Sequence, residues 1–185
     1  MTDIKNPPPQ PKMTAKFSDC KTYRYLFGRV WDESRRILPV VMLNPSRADA
    51  DRNDPTVTTL IHFAGLWGYG GLAGANLAAL VTSKPAVMMA HPDPIGPEND
   101  QHIAQLFNLA RHTGTPVLAA WGNGGRFRGR DEWCTSRARA AFVDLVCLGI
   151  TKDGFPKHPA ARGTHRIPRD QQPIVWKSWR ETGEQ

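Results

Sequence analysis

Three asparagines and one histidine carry most of the chemical potential of this chain. They are Asn44 in Leu43-Asn44-Pro45-Ser46, Asn76 in Gly74-Ala75-Asn76-Leu77, Asn123 in Trp121-Gly122-Asn123-Gly124, and His158 in Lys157-His158-Pro159. An asparagine amide presents a donor and an acceptor side by side, matching the alternating N–H and C=O edge of a pyrimidine. A histidine can donate a hydrogen bond to a carbonyl oxygen that turns anionic as a glycosidic bond breaks. Each residue also has a plainer reading. Asn44 before a proline and Asn123 among glycines are common turn residues, and His158 in a Gly/Pro-rich basic loop can simply face solvent. Asn76 resists that reading, because an amide inside an apolar strand needs partners.

Other chemistries lack their signatures. The chain has no GxxxxGK[ST] phosphate loop, no HExxH zinc helix and no GxSxG nucleophile elbow. Gly122-Asn123-Gly124-Gly125 does not have the spacing of a dinucleotide loop. The six histidines show no metal-ligand spacing, and Cys20, Cys134 and Cys147 offer no CxxC pair and do not look like a disulfide framework. The expected site therefore uses neither metal nor cofactor.

Periodicity and capping residues give the strands and helices that carry these side chains. Residues 1–16, with Pro7-Pro8-Pro9 and Pro11, read as a disordered leader, residues 17–180 as one domain, and 181–185 as a tail. Residues 23–31 alternate as an edge strand does. Four apolar strands are expected at 38–43, 72–80 (with Asn76 inside it), 116–121 and 145–150. A Pro-rich loop is expected at 85–97. Helices are expected at 55–67, capped by Asp54 and Pro55, and at 98–111 and 131–143. Strand and helix in alternation predict an α/β fold, a three-layer αβα sandwich around a mainly parallel four-stranded sheet. Ligands bind such sheets beyond the carboxyl ends of the strands, where Asn44, Asn76, Asn123 and His158 are expected to converge.

Composition narrows the partners. The 185 residues include 24 Lys and Arg against 17 Asp and Glu, a net +7. Residues 126–180 hold 12 of those basic residues and 5 of the acidic ones, so the excess sits in the last third. A one-sided basic surface suits a polyanion, nucleic acid first, or is merely a solvated face. Mean hydropathy is −0.46, and no apolar run nears the roughly 20 residues that cross a bilayer. The expectation is a cytoplasmic, monomeric protein without a membrane partner.

The order of the motifs resembles the uracil-DNA glycosylase superfamily: a strand ending in Asn44-Pro45-Ser46, a strand asparagine at Asn76, the strand end Ala120-Trp121-Gly122, and a late His158-Pro159-Ala160. It is also similar to an uncharacterised bacterial family with an NPS…WGN…TKDGxPxHP layout. The resemblance implies that Asn44 positions the attacking water and that His158 stabilises the departing base. It implies a pocket of Leu43, Pro45, Ser46, Asn76 and Asn123, with the small Ser46 where a bulkier residue would exclude a thymine methyl. It further implies DNA contacts from Lys152, Lys157, Pro159, Arg162 and Arg166, with Arg162 in the place of the usual wedge. Phe63 and Trp67 are candidates for the base-stacking aromatic, though their helical spacing also suits the core; Asp49, Asp51 and Asp54 are nearby carboxylates. The implied activity is hydrolysis of uracil, or other deaminated or damaged bases, from DNA at the start of base excision repair. Two alternatives remain open. One is a non-catalytic nucleic-acid-binding module that stacks bases on Trp133, Phe155, Trp176 and Trp179. The other is a nucleoside or nucleotide hydrolase.

Overall fold

A computed structural model describes residues 11–46 and 53–180. Its strands are β1 (Lys12–Phe17), β2 (Arg24–Val30), β3 (Ile37–Met42), β4 (Gly71–Asn76), β5 (Val117–Ala119), β6 (Leu145–Cys147) and β7 (Ile174–Lys177). Its helices are α1 (Pro55–Leu66), α2 (Pro85–Ala90), α3 (Asn99–Thr113) and α4 (Arg130–Ala140). All strands join one sheet in the order β1-β2-β4-β3-β5-β6-β7.

The α/β class holds, but the four-stranded, mainly parallel sheet does not. The four expected strands run parallel as β4-β3-β5-β6, while β1–β2, β2–β4 and β6–β7 are antiparallel. The sheet is therefore mixed and seven-stranded. The outermost strands, β1 and β7, go beyond the expected elements: β1 alternates polar and apolar residues from Lys12 to Phe17 but directly follows the Pro-rich stretch, which hides it, and β7 is four residues long and largely exposed. β1 takes residues 12–16 out of the expected leader and makes β2 an interior strand rather than an edge. Residues 1–10 of the leader and the tail at 181–185 lie outside the described residues. Asn76 ends β4 rather than sitting inside it, and the Pro-rich stretch contains α2.

Strand alternation sends side chains to two faces. Leu38, Val40, Met42, Leu72 and Leu118 pack with Val57, Leu60, Phe63 and Ala64 of α1. Val41, Ala75, Val117, Ala119 and Trp121 pack with Ile103, Leu106 and Phe107 of α3 and with Cys134 and Ala138 of α4. The α1 cap is present: Asp54 Oδ1 accepts from Val57 N at 2.8 Å, with Pro55 opening the helix. A cap is worth about 1 kcal/mol, against roughly 1.5–3 kcal/mol for each large apolar side chain buried. Packing therefore holds α1, and Asp54 decides where it begins. Gly74 has a steric reason: a Cβ there would lie 1.9 Å from the Phe27 ring, which crosses over the strand.

Candidate functional site

Because β4, β3, β5 and β6 are parallel, their carboxyl ends meet along one edge of the sheet. β3 leaves that edge through Leu43-Asn44-Pro45-Ser46. Asn44 Nδ2 donates to Thr82 O at 2.7 Å and to Pro45 O at 3.2 Å, while Thr82 N donates to Pro45 O at 3.0 Å. Both amide hydrogens of Asn44 are thus engaged, and its Oδ1, without a partner among the described residues, is left as the acceptor for a ligand. Leu43, Asn44 and Ser46 line a cleft of about 300 Å³ with Arg24, Met42, Asp54, Thr82 and His158, at the small end of ligand sites. Pro45 is buried behind it and acts through its carbonyl.

His158 reaches the cleft on a tight hairpin after β6. Thr151 N donates to Phe155 O at 2.8 Å, Lys157 N donates to Gly149 O at 2.8 Å, and Ile150 bridges Pro156. Gly122 closes the back of the histidine: its N donates to Pro156 O at 2.9 Å, and a Cβ there would lie 3.6 Å from His158 Cβ. His158 Nδ1 accepts from Ala160 N at 3.1 Å, so in the neutral ring the proton is on Nε2, which becomes the free donor. Burial pushes the His158 pKa down, opposed by the charge of Asp54.

Gly122 has φ +67°, in the left-handed region. Gly122→Ala is expected to destabilise the fold by about 1–2 kcal/mol from that strain, with a midpoint shift in urea as the measure. The contact with His158 is itself of ordinary length.

Asp54 holds no free carboxylate oxygen: Oδ1 caps α1, and Oδ2 accepts from Ser46 Oγ at 2.5 Å. Asp49 and Asp51 lie outside the described residues. Arg24, which no sequence motif marks, is buried in the cleft wall. Desolvation pushes its pKa down to about 10, with Asp54 opposing and Arg29 assisting, so it remains a cation at neutral pH. Nothing local in Tyr23-Arg24-Tyr25 signals that burial.

Asn76 is in register with Met42 on the parallel neighbour β3, and in-register parallel residues share a face. Met42 lines the cleft and packs on the α1 side of the sheet, so Asn76 shares that face, but Asn76 itself is buried beneath the cleft's surface and is not one of its lining residues, unlike the expected pocket. The residue is 1 % exposed, and neither its Nδ2 nor its Oδ1 has a partner among the described residues. Leaving such a group unmatched costs about 1–3 kcal/mol.

Asn123 does not join the cleft. Its Nδ2 donates to Asp153 Oδ2 at 2.6 Å, and its Oδ1 accepts from Thr151 Oγ1 at 2.7 Å. It clips the loop after β5 to the hairpin that delivers His158. Asn123→Ala is expected to cost about 1 kcal/mol for each bond it removes while changing any reaction in the cleft by a few-fold at most; thermal melts and rates on the same sample check this.

The basic residues divide. Lys152 is exposed at the hairpin tip, and the Lys157 methylenes lie over Gly149. Pro159, Arg162 and Arg166 instead line a second groove of about 370 Å³ between α1 and the loop that follows His158. Arg169 and His62, neither singled out by the sequence, line it too. The loop is fastened to α1 by a 2.8 Å bond between His62 Nε2 and Arg169 O and by Trp67 Nε1 donating to Gln171 O at 2.9 Å. Phe63 is buried in the core and Trp67 stacks on it, 5.7 Å between centroids, so both are packing residues.

Trp133, Phe155, Trp176 and Trp179 each carry a cation of this chain: Arg130 at 4.0 Å, Arg126 at 4.9 Å, Lys177 at 5.7 Å and Arg180 at 4.9 Å. Their rings are already partnered, which weakens them as a platform for bases. Among the described residues, no group of three or more His, Cys, Asp or Glu is placed to hold a metal, and no helix is long and apolar enough to cross a membrane.

The chain belongs to a family described as a protein of unknown function (DUF1643), whose model matches residues 24–160. No curated protein and no solved structure matches it.

Proposed function

We propose that this protein is a DNA glycosylase that hydrolyses the N-glycosidic bond of uracil in DNA, with other deaminated bases admitted beside the small Ser46. The observation that carries this reading is the pairing of an acceptor, Asn44 Oδ1, with a donor, His158 Nε2–H, both without a partner among the described residues, in a small cleft at the carboxyl ends of the parallel strands.

In this reading Asn44 Oδ1 accepts a hydrogen bond from a water and aims its oxygen at C1′ of an extruded nucleotide. The C1′–N bond breaks with its electron pair going to the base, and the sugar passes through an oxocarbenium-like state. The water oxygen then bonds to C1′, and its proton is released to solvent or to the departing base. His158 donates to the base oxygen on which negative charge grows, and the Arg24 cation in the same wall favours that anion. Asn76 offers the unmatched donor and acceptor that the base edge satisfies. These residues supply the chemistry without a cofactor. A monomer in the cytoplasm suffices for the task.

The groove beside the cleft suits the flanking phosphates. Thr56 of the cleft is next to Pro55 of the groove, and His158 is next to Pro159, so the two share α1's first turn and one loop. Removing one cation from a phosphate lowers the salt dependence of duplex binding by about 0.9 in log–log slope. Arg162→Ala with Arg166→Ala is expected to reduce it by roughly 2, read by fluorescence anisotropy across a salt series.

The deciding experiment incubates the protein with a labelled duplex bearing one deoxyuridine, followed by alkali. Strand scission at that position supports the glycosylase. Tight binding without scission overturns it in favour of a binding module, and release of uracil from free deoxyuridine unaffected by competing DNA overturns it in favour of a nucleoside hydrolase.

A further inference from the structure

We infer that Asn99 and Arg130 are positioning residues for Asn76, acting through the backbone from the opposite face of the sheet. The inference rests on the reading that Asn76 meets the base. Asn99 opens α3 and Arg130 opens α4. Asn99 Nδ2 donates to Asn76 O at 2.9 Å and to Leu77 O at 3.3 Å, and Arg130 Nε donates to Leu77 O at 2.9 Å. From the neighbouring strand, Leu77 N donates to Met42 O at 2.8 Å and Ala78 N to Leu43 O at 2.9 Å. The backbone that follows Asn76 is therefore held on both sides, and Leu77 O accepts from two side chains.

Asn99 is 0 % exposed and Arg130 5 %. A buried guanidinium is an expensive way to satisfy one carbonyl. Its charge is met by Asp100 Oδ1 at 2.6 Å and by the Trp133 ring at 4.0 Å, so Asn99 and Arg130 bond the strand end while Asp100 and Trp133 hold Arg130 in place. The same strand end carries the unmatched Asn76 amide. Packing α3 and α4 against the sheet already has its apolar contacts in Ile103, Leu106, Phe107, Cys134 and Ala138. What the polar cluster adds is a fixed orientation for the residue on the far side. Asn99 and Arg130 lie behind the sheet and touch no substrate. They keep the Asn76 side chain, which would otherwise find partners by tilting, aimed at the α1 side beside Met42.

The test separates this from a purely structural role. In the ¹⁵N-labelled protein, the Asn76 side-chain amide pair, assigned by its loss in Asn76→Leu, is expected to shift and broaden in Arg130→Ala. Arg130→Lys, which keeps a cation for Asp100, falls between. On uracil duplexes kcat is expected to fall about tenfold or more with KM within about threefold, and the preference for uracil over hypoxanthine to narrow. A folded Arg130→Ala with unchanged Asn76 signals and unchanged base preference overturns the inference. Should Arg130→Ala not fold, Asp100→Asn, at a half-exposed position, is expected to move the same signals less and in the same direction; no movement overturns it equally. A wild-type protein that cleaves no deoxyuridine sinks the glycosylase reading instead, and the Asn76 signals still decide the positioning.

Discussion

Asn44→Ala is expected to lower uracil release by about a hundredfold or more, because a water left a fraction of an ångström off line loses most of the advantage of being positioned. The substitution also removes the 2.7 Å bond to Thr82 O and the 3.2 Å bond to Pro45 O. Those cost about 1 kcal/mol each in net stability, which leaves a folded protein whose melt can be compared with the parent. Asn44→Asp is the poorer probe. It would set a carboxylate oxygen against the Thr82 carbonyl and mix repulsion with the loss of function. Single-turnover cleavage of a deoxyuridine duplex, normalised to folded protein, is the measurement. Near-parental rates in Asn44→Ala would remove this residue, and the water it is proposed to aim, from the mechanism.

His158→Ala is expected to cost a similar factor, about 10²–10³, as for other single donors to a developing anion. Its acid limb is the sharper test. Burial lowers the folded-state pKa of His158 below that of the unfolded chain, so the ring is neutral at pH 7 with Nε2–H as donor. Activity is expected to be flat through the neutral range and to fall with one proton on acidification, with a midpoint below the usual histidine value of about 6.5. The same shift sets a stability trend. Above the unfolded-state pKa the contribution is fully present; as pH falls through it towards the lower folded-state pKa, the unfolded chain binds the extra proton and stability declines. His158→Gln should lose both the acid limb of the rate and that part of the decline. A profile that keeps its acid limb in His158→Gln assigns the titration elsewhere.

Much of the cleft was legible because it follows from strand ends. An apolar run stopped by Asn44-Pro45-Ser46 marks where a parallel strand leaves the sheet, and Asp54-Pro55 marks where a helix starts; both features are present in the fold. Asn123 shows the limit. Like Asn44 it follows a strand in a turn-forming context, yet the hairpin of Thr151 and Asp153 folds over it and takes both ends of its amide. Lys157 and Arg162, five residues apart in one basic stretch, likewise end in different places, one over Gly149 and the other in the groove beside α1. Arg24, Thr82, Asn99 and Arg130 were invisible for a related reason. Their roles consist of burial or of bonds to strand ends, which no local spacing announces.

The alternation of apolar strands and helices, the two-faced core, the turn at Asn44 and the concentration of positive charge after residue 125 are all written in the amino-acid order. Those are local quantities, set by side-chain periodicity, capping and composition. Which polar groups are already satisfied and which are left for a ligand emerges on folding: Asn44 is tied through its nitrogen to Thr82, Asp54 is occupied by Ser46 and α1, and Asn76 is buried with its amide unmatched among the described residues. Hydrogen-bond satisfaction depends on groups brought together across the sheet, 38 residues apart for Asn44 and Thr82 and 53 for Arg130 and Leu77. That information exists once the chain has folded.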